Sequence, residues 1–187
     1  ILTFWPHPRK VFNPNDEIKL LNTLNEKLNL LENAKLDVVF LKSFDENFRN
    51  LTGEEFVRQI LVQKLNVKHI IIGHDHVFGK NKSGNFELLQ KLSKELDFVV
   101  QQLDAVKEGE FNISSTKIRN CLANGNIIGA NKMLGYHYSV SGKVIDGKKL
   151  GRTIGYPTAN IEVDELKLVP KKGAYIVEVY VKNKFYK

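Results

Sequence analysis

Val67-Lys68-His69-Ile70-Ile71-Ile72-Gly73-His74-Asp75-His76-Val77-Phe78-Gly79 is a β-branched run that stops at a glycine and opens into a polar loop. It reads as a strand over 67–72 with a loop at its carboxyl end. Outward from it, strand and helix alternate. On the N-terminal side, Thr52 and Glu55 make a capping-box pattern, and Phe56, Ile60 and Leu65 mark the helix that follows. Val38-Val39-Phe40-Leu41 is the strand before that. Leu21, Leu24, Leu28 and Leu31 form one apolar stripe of a helix expected over 16–32, and residues 1–4 read as a short buried strand. On the C-terminal side, Leu88, Leu89, Leu92 and Leu96 predict a helix, and Phe98-Val99-Val100 another strand. Repeated βα units of this kind imply a parallel sheet wrapped by helices.

The pattern changes after Leu134-Gly135. Residues 138–145, 159–163 and 174–181 read as strands broken by glycine, and no helical period recurs. The switch predicts an α/β domain over 1–135 and an all-β domain over 136–187. The chain opens in mid-strand without Met. It closes on Asn183-Lys184-Phe185-Tyr186-Lys187 with no partner strand to follow, so material is expected to be missing at both ends.

Bulk properties narrow the class. The 187 residues are 42 % apolar and 26 % charged, as in a soluble globular protein. No apolar run approaches the roughly 20 residues of a membrane helix. Ile1-Leu2-Thr3-Phe4 runs into Pro6-His7-Pro8 without the basic start of a signal peptide. A single cysteine, Cys121, excludes an intrachain disulfide, fits a reducing cytoplasm and reads as a buried structural thiol. The net charge of +7 is spread among acidic residues, which reads first as a solvated surface and second as attraction for polyphosphates such as ATP. Nucleic acid is the weakest reading, because no aromatic-basic stacking pattern accompanies the charge.

Ligands of open parallel sheets bind at the carboxyl ends of strands. The 73–79 loop occupies such a position. Gly73 and Gly79 let backbone approach a ligand, and Asp75 and His76 offer hydrogen bonds. His74 and His76 lack a third ligand, so a metal there is weakly supported. Ile113-Ser114-Ser115-Thr116-Lys117-Ile118-Arg119 places hydroxyls at a helix start and a guanidinium one turn in. That arrangement suits a phosphate, and it equally suits an ordinary N-cap. Thr3-Phe4-Trp5-Pro6-His7-Pro8-Arg9 is an extended loop fixed by two prolines, where His7 either touches substrate or only stiffens the turn.

In the second domain, residues 142–160 carry Gly147, Gly151 and Gly155 among lysines and Arg152, a loop able to wrap phosphates without P-loop spacing. Thr158 and Asn160 lie two apart on an expected strand and so share a face. Their hard oxygens suit Mg²⁺ when a nucleotide supplies the remaining ligands. A plain turn before a strand is the competing reading.

Taken together, these segments resemble the bacterial bifunctional riboflavin kinase / FAD synthetase family. The matching text is Thr3-Phe4-x-Pro6-His7-Pro8, the helix start at 52–57, Gly73-x-Asp75-His76-x-Phe78-Gly79, Ile113-Ser114-Ser115-Thr116-x-Ile118-Arg119, and Gly151-Arg152-x-x-Gly155-Tyr156-Pro157-Thr158-Ala159-Asn160. The resemblance implies a Rossmann-like nucleotidyltransferase domain that transfers AMP from ATP to FMN, followed by a β-barrel that phosphorylates riboflavin. It implies that Ser114, Ser115, Thr116 and Arg119 hold ATP phosphates, and that Gly73, Asp75, His76, Phe78 and Gly79 help bind nucleotide or flavin. Gly147, Arg152 and Pro157 would shape the second phosphate loop, and Thr158 and Asn160 would hold Mg²⁺. The family's His-x-Gly-His signature precedes Thr3 in the pattern, and the kinase's glutamate base lies beyond Lys187. The partners implied are small molecules, with neither nucleic acid nor membrane. The rival readings are a monofunctional adenylyltransferase with a scaffold β-domain, and a basic nucleic-acid-binding protein.

Overall fold

A computed structural model describes residues 1–13, 17–105, 107–108, 111–182 and 184–186. The chain falls into two compact units, one of Ile1–Ile18 and Leu24–Asn112, the other of Lys19–Thr23 and Ile113–Lys187.

In the first unit the β-branched runs form parallel pairs, as βα alternation demands. Leu2–Trp5 runs beside Phe40–Ser43, with Leu2 opposite Phe40. His69–Gly73 runs beside Val99–Leu103, with His69 opposite Val99. Among the described residues these are two separate ladders rather than one continuous sheet. The capping box at Thr52 forms as its sequence requires. The Thr52 hydroxyl accepts from the Glu55 amide at 3.2 Å, and the Glu55 carboxylate accepts from the Thr52 amide at 2.7 Å. The second bond holds the Glu55 carboxyl below its usual range. The helix then widens into π-type turns over Phe56–Lys64. Asn85 caps Phe86–Leu96 through the Leu88 amide at 3.0 Å. Val57, Leu61, Ile70, Leu89, Leu92 and Phe98 close the core between these helices and the second ladder.

The second unit is built on Ser115–Ala123 and Ile127–Leu134, whose Ile118, Leu122 and Ala130 form a small core. The second of these helices has too short an apolar pattern to stand out in the sequence. Cys121 is half-buried against that core. Gly142–Ile145 pairs antiparallel with Asn160–Val163, and Val179–Val181 with Lys184–Tyr186.

The structure departs from the sequence pattern at several points. The helix expected over 16–32 runs only from Leu24 to Asn33. Residue 16 is outside the described residues, while Leu20, only 4 % exposed, pairs instead with Lys167 as a lone parallel bridge. The strand expected over 138–145 is confined to Gly142–Ile145, and that over 174–181 to Val179–Val181. The closing residues do find a partner, because the left-handed Lys182 turns the chain back on itself. Asn183 and Lys187 lie outside the described residues. A short helix, Leu150–Thr153, appears where no period was visible, because four residues are too few to carry one. No closed barrel forms among the described residues, which show two antiparallel ladders of two strands each in this unit.

Candidate functional site

In the first unit the loop after His69–Gly73 turns at once, with the His76 amide donating to the Gly73 carbonyl at 3.2 Å. Phe78 then pairs with Gly84 through reciprocal backbone bonds of 2.9 and 2.8 Å. Gly79 has a φ of +73°, and a Cβ there would lie 2.6 Å from the Gly53 Cα and 2.8 Å from the Thr52 carbonyl carbon. A Cβ on Gly84 would strike the Phe78 ring, and one on Gly53 would sit 2.5 Å from the Gly84 Cα. Gly79 is thus required by the protein's own packing. Gly73 is different, since a Cβ there meets only the Asp75 carboxylate, at 3.9 Å.

Gly73, His76, Phe78 and Gly79 line a cavity of 1190 Å³. Its other walls include Phe4 of the strand Leu2–Trp5, Pro8 and Phe12 of the helix Pro8–Phe12, which forms where an extended loop was expected over 3–9, and Phe44, Phe48, Phe56 and Ile70–Ile72 of the second ladder. The rings touch in sequence. Phe4 is 5.2 Å from Phe48, Phe48 5.7 Å from Phe56, Phe56 5.5 Å from Phe78, and Phe78 stacks on His76 at 5.9 Å. Arg49 and Lys82 bring cations to the lining. His74 and Asp75 are not part of it; they face each other at 3.6 Å. His7 accepts the Arg9 amide on Nδ1, capping the helix Pro8–Phe12. Lys27 donates to the Thr3 hydroxyl, and partial burial lowers its pKa. The phenylalanine wall was missed in the sequence, although Phe40, Phe44 and Phe48 stand at regular steps of four. They lie on a strand, a loop and a helix, so no single period exposes them.

In the second unit, Ser114 is the N-cap of Ser115–Ala123 and its hydroxyl accepts the Lys117 amide at 3.3 Å. Ser115 and Thr116 are exposed on the first turn. Arg119, half-buried, donates from Nε to the Lys19 carbonyl at 3.0 Å.

The 147–160 loop folds back on itself. A Cβ on Gly147 would lie 2.7 Å from the Asn160 side-chain carbon, and one on Gly151 would meet the Tyr156 carbonyl and stand 3.4 Å from the Thr158 methyl. The Tyr156 amide closes the turn on the Gly151 carbonyl at 2.7 Å. Thr158 and Asn160 are therefore both seated against the glycine loop, exposed, and neither side chain is engaged in a hydrogen bond among the described residues. Arg152 and Pro157 are also exposed there. No group of three or more His, Cys, Asp or Glu side chains is poised for a metal ion among the described residues. Nor is any helix among them long and apolar enough to cross a membrane.

Residues 1–117 match the FAD synthetase family model and residues 134–187 the riboflavin kinase model. A relative from Haemophilus influenzae, described as a bifunctional riboflavin kinase/FMN adenylyltransferase, is 41 % identical over 98 % of this chain and 59 % of its own. Relatives of the same description from Escherichia coli and Listeria monocytogenes are each 38 % identical, over 96 % and 97 % of this chain and 57 % of theirs. The chain thus spans less than two thirds of the length of these curated relatives. A solved structure described as a macrolide-efflux protein from Streptococcus pneumoniae superposes with a TM-score of 0.86 at 30 % identity, over 99 % of this chain and 60 % of that one. By the match over its first 117 residues, and by identities of 38–41 % along almost its whole length, the chain belongs to the FAD synthetase family, with a riboflavin kinase segment following the nucleotidyltransferase one.

Proposed function

We propose that this chain supplies the nucleotide- and flavin-gripping parts of an enzyme that phosphorylates riboflavin to FMN and adenylylates FMN to FAD, both from ATP. The observation that carries the reading is the phenylalanine-walled cavity of the first unit, with Lys82 in its lining. An apolar aromatic wall suits a planar ring system, and Lys82 suits the phosphate it carries, whereas Arg49 is paired with Glu46 at 3.1 Å. Residues 1–135 would be a Rossmann-like nucleotidyltransferase domain and 136–187 part of a β-barrel; family matches that end at 117 and begin at 134 support this division. Ser115, Thr116 and Arg119 would take ATP phosphates at the start of their helix, with Ser114 shaping the turn as its cap.

In the kinase segment, the exposed oxygens of Thr158 and Asn160 fit Mg²⁺ as hard donors without internal partners. Bound there with ATP, the ion would neutralise charge that develops on the transferring phosphoryl group. Gly147 and Gly151 let the loop backbone close on these two side chains, and Arg152 is an exposed cation of the same loop. Both reactions are in-line transfers at phosphorus, in which positioning and charge neutralisation do most of the catalysis. Small-molecule substrates and a cytoplasmic location complete the reading, the latter supported by a single unpaired cysteine.

The test is Thr158→Ala in the full-length protein. Riboflavin phosphorylation should fall at least about tenfold while FMN adenylylation is spared. Equal loss of both would refute separate sites. An unchanged kinase rate, or no kinase activity in the parent, would favour a monofunctional adenylyltransferase with a scaffold β-domain.

A further inference from the structure

The segment Lys19–Thr23 belongs to the second unit, although its neighbours on both sides in the chain belong to the first. It is held there by an unusual set of bonds. The Leu20 amide donates to the Leu166 carbonyl at 2.6 Å, and the Leu168 amide donates to the Leu20 carbonyl at 2.8 Å. Between them lies Lys167, a charged residue only 3 % exposed. Its ammonium donates to the Leu21 carbonyl at 2.7 Å and sits 4.3 Å from the centre of the Tyr138 ring. Burying an ammonium is costly, so such a group persists where carbonyl and ring contacts hold it in one place. Further along, the Asn22 side chain donates from Nδ2 to the Tyr136 hydroxyl at 3.1 Å.

The segment in turn offers the Lys19 carbonyl to Arg119 Nε at 3.0 Å. A guanidinium fixed through Nε has its plane set, which is how a supporting contact aims a planar phosphate-binding group. We propose that Lys167 is a positioning residue for Arg119: it seats the 19–23 strap, and the strap sets the guanidinium. The inference rests on the reading that Arg119 holds a phosphate of ATP during FMN adenylylation. It makes that reaction depend on a lysine inside the riboflavin kinase match, which spans 134–187.

The experiment uses the full-length protein with Lys167→Met, Lys167→Arg, Asn22→Ala and Arg119→Ala. Amide hydrogen exchange is followed at Leu20 and Leu168, and KM for ATP and kcat are measured for FMN adenylylation. Lys167→Met should speed exchange at both amides by about tenfold and leave the Val99–Leu103 strand unchanged. It should raise KM for ATP by about tenfold with a smaller change in kcat, and Lys167→Arg, which keeps the cation and its donors, should restore most of both. Asn22→Ala loosens only the far end of the strap and should move exchange and KM the same way by about threefold, so the inference stays testable if Lys167→Met does not fold. Unchanged exchange at Leu20 and Leu168 would overturn the seat. Faster exchange with an unchanged KM would overturn the positioning role. If Arg119→Ala leaves KM for ATP untouched, it is the phosphate role of Arg119 that falls, whatever the exchange data show about the strap.

Discussion

Replacing Gly79 with alanine puts the packing of the 73–84 loop to a direct test. The combination of φ +73° and ψ 169° belongs to a region essentially restricted to glycine and alone costs an alanine roughly 1–3 kcal/mol. The larger cost is steric. The new methyl would lie 2.6 Å from the Gly53 Cα and 2.8 Å from the Thr52 carbonyl carbon, and backbone atoms cannot swing aside as a side chain can. Relief needs the two segments to part by nearly an ångström. That would strain the Lys80 amide bond to the Leu51 carbonyl, now 2.7 Å, and the paired bonds between Phe78 and Gly84. With each of these three hydrogen bonds worth about 0.5–1.5 kcal/mol, the total is roughly 3–7 kcal/mol. A melting-temperature loss on the order of 10 °C would accompany it. Guanidinium unfolding followed by Trp5, the single tryptophan and a residue of the first unit, is the assay. Gly73→Ala is the control, because a Cβ there meets nothing nearer than 3.9 Å, and its cost should stay below about 1 kcal/mol. Equal costs for the two substitutions would refute the argument that one glycine is demanded by packing and the other is not.

Three further outcomes are expected. Leu92→Ala empties a fully buried site in the first core and should cost about 2–5 kcal/mol, seen as a shifted Trp5 unfolding midpoint. The Asp45, Glu55 and Glu95 carboxyls are held below their usual range by the Phe48 amide, the Thr52 amide and the Arg58 guanidinium respectively. Groups with lowered folded pKa stabilise the fold above their unfolded pKa and lose that contribution as pH falls through the folded value. Urea midpoints should therefore be flat near neutrality and drop below about pH 4, with a shallower drop in Glu55→Gln. Flavin titration by calorimetry should show Phe56→Ala weakening binding by at least about tenfold, since its ring joins those of Phe48 and Phe78 on the cavity wall.

Much of this was legible in the sequence because local rules were obeyed. Thr52 and Glu55 announced a capping box that forms in full, and the β-branched run before Gly73 became a parallel strand. Leu24, Leu28 and Leu31 kept their helical stripe, but Leu21 did not, because Leu20 and Leu21 are claimed by Lys167, a partner well over a hundred positions away. Short-range periodicity carries no trace of such a contact. The candidate loops divided in the same way. The spacing of Thr158 and Asn160 is visible in the sequence, and the loop glycines that meet them lie within reach in sequence. The phenylalanine wall is gathered from strands, loops and helices, and Gly79 and Gly53 meet from different segments, so only the folded chain displays either.

Every ladder among the described residues contains two strands, so every strand there has one side without a strand partner. Several of these sides are flanked by uncovered apolar side chains, including Val99, Val144, Ile161, Tyr180 and Phe185. Such margins invite docking of any extended chain, including another copy of this one. Solutions of the isolated polypeptide are therefore expected to self-associate as concentration rises, and light scattering across a dilution series would follow it.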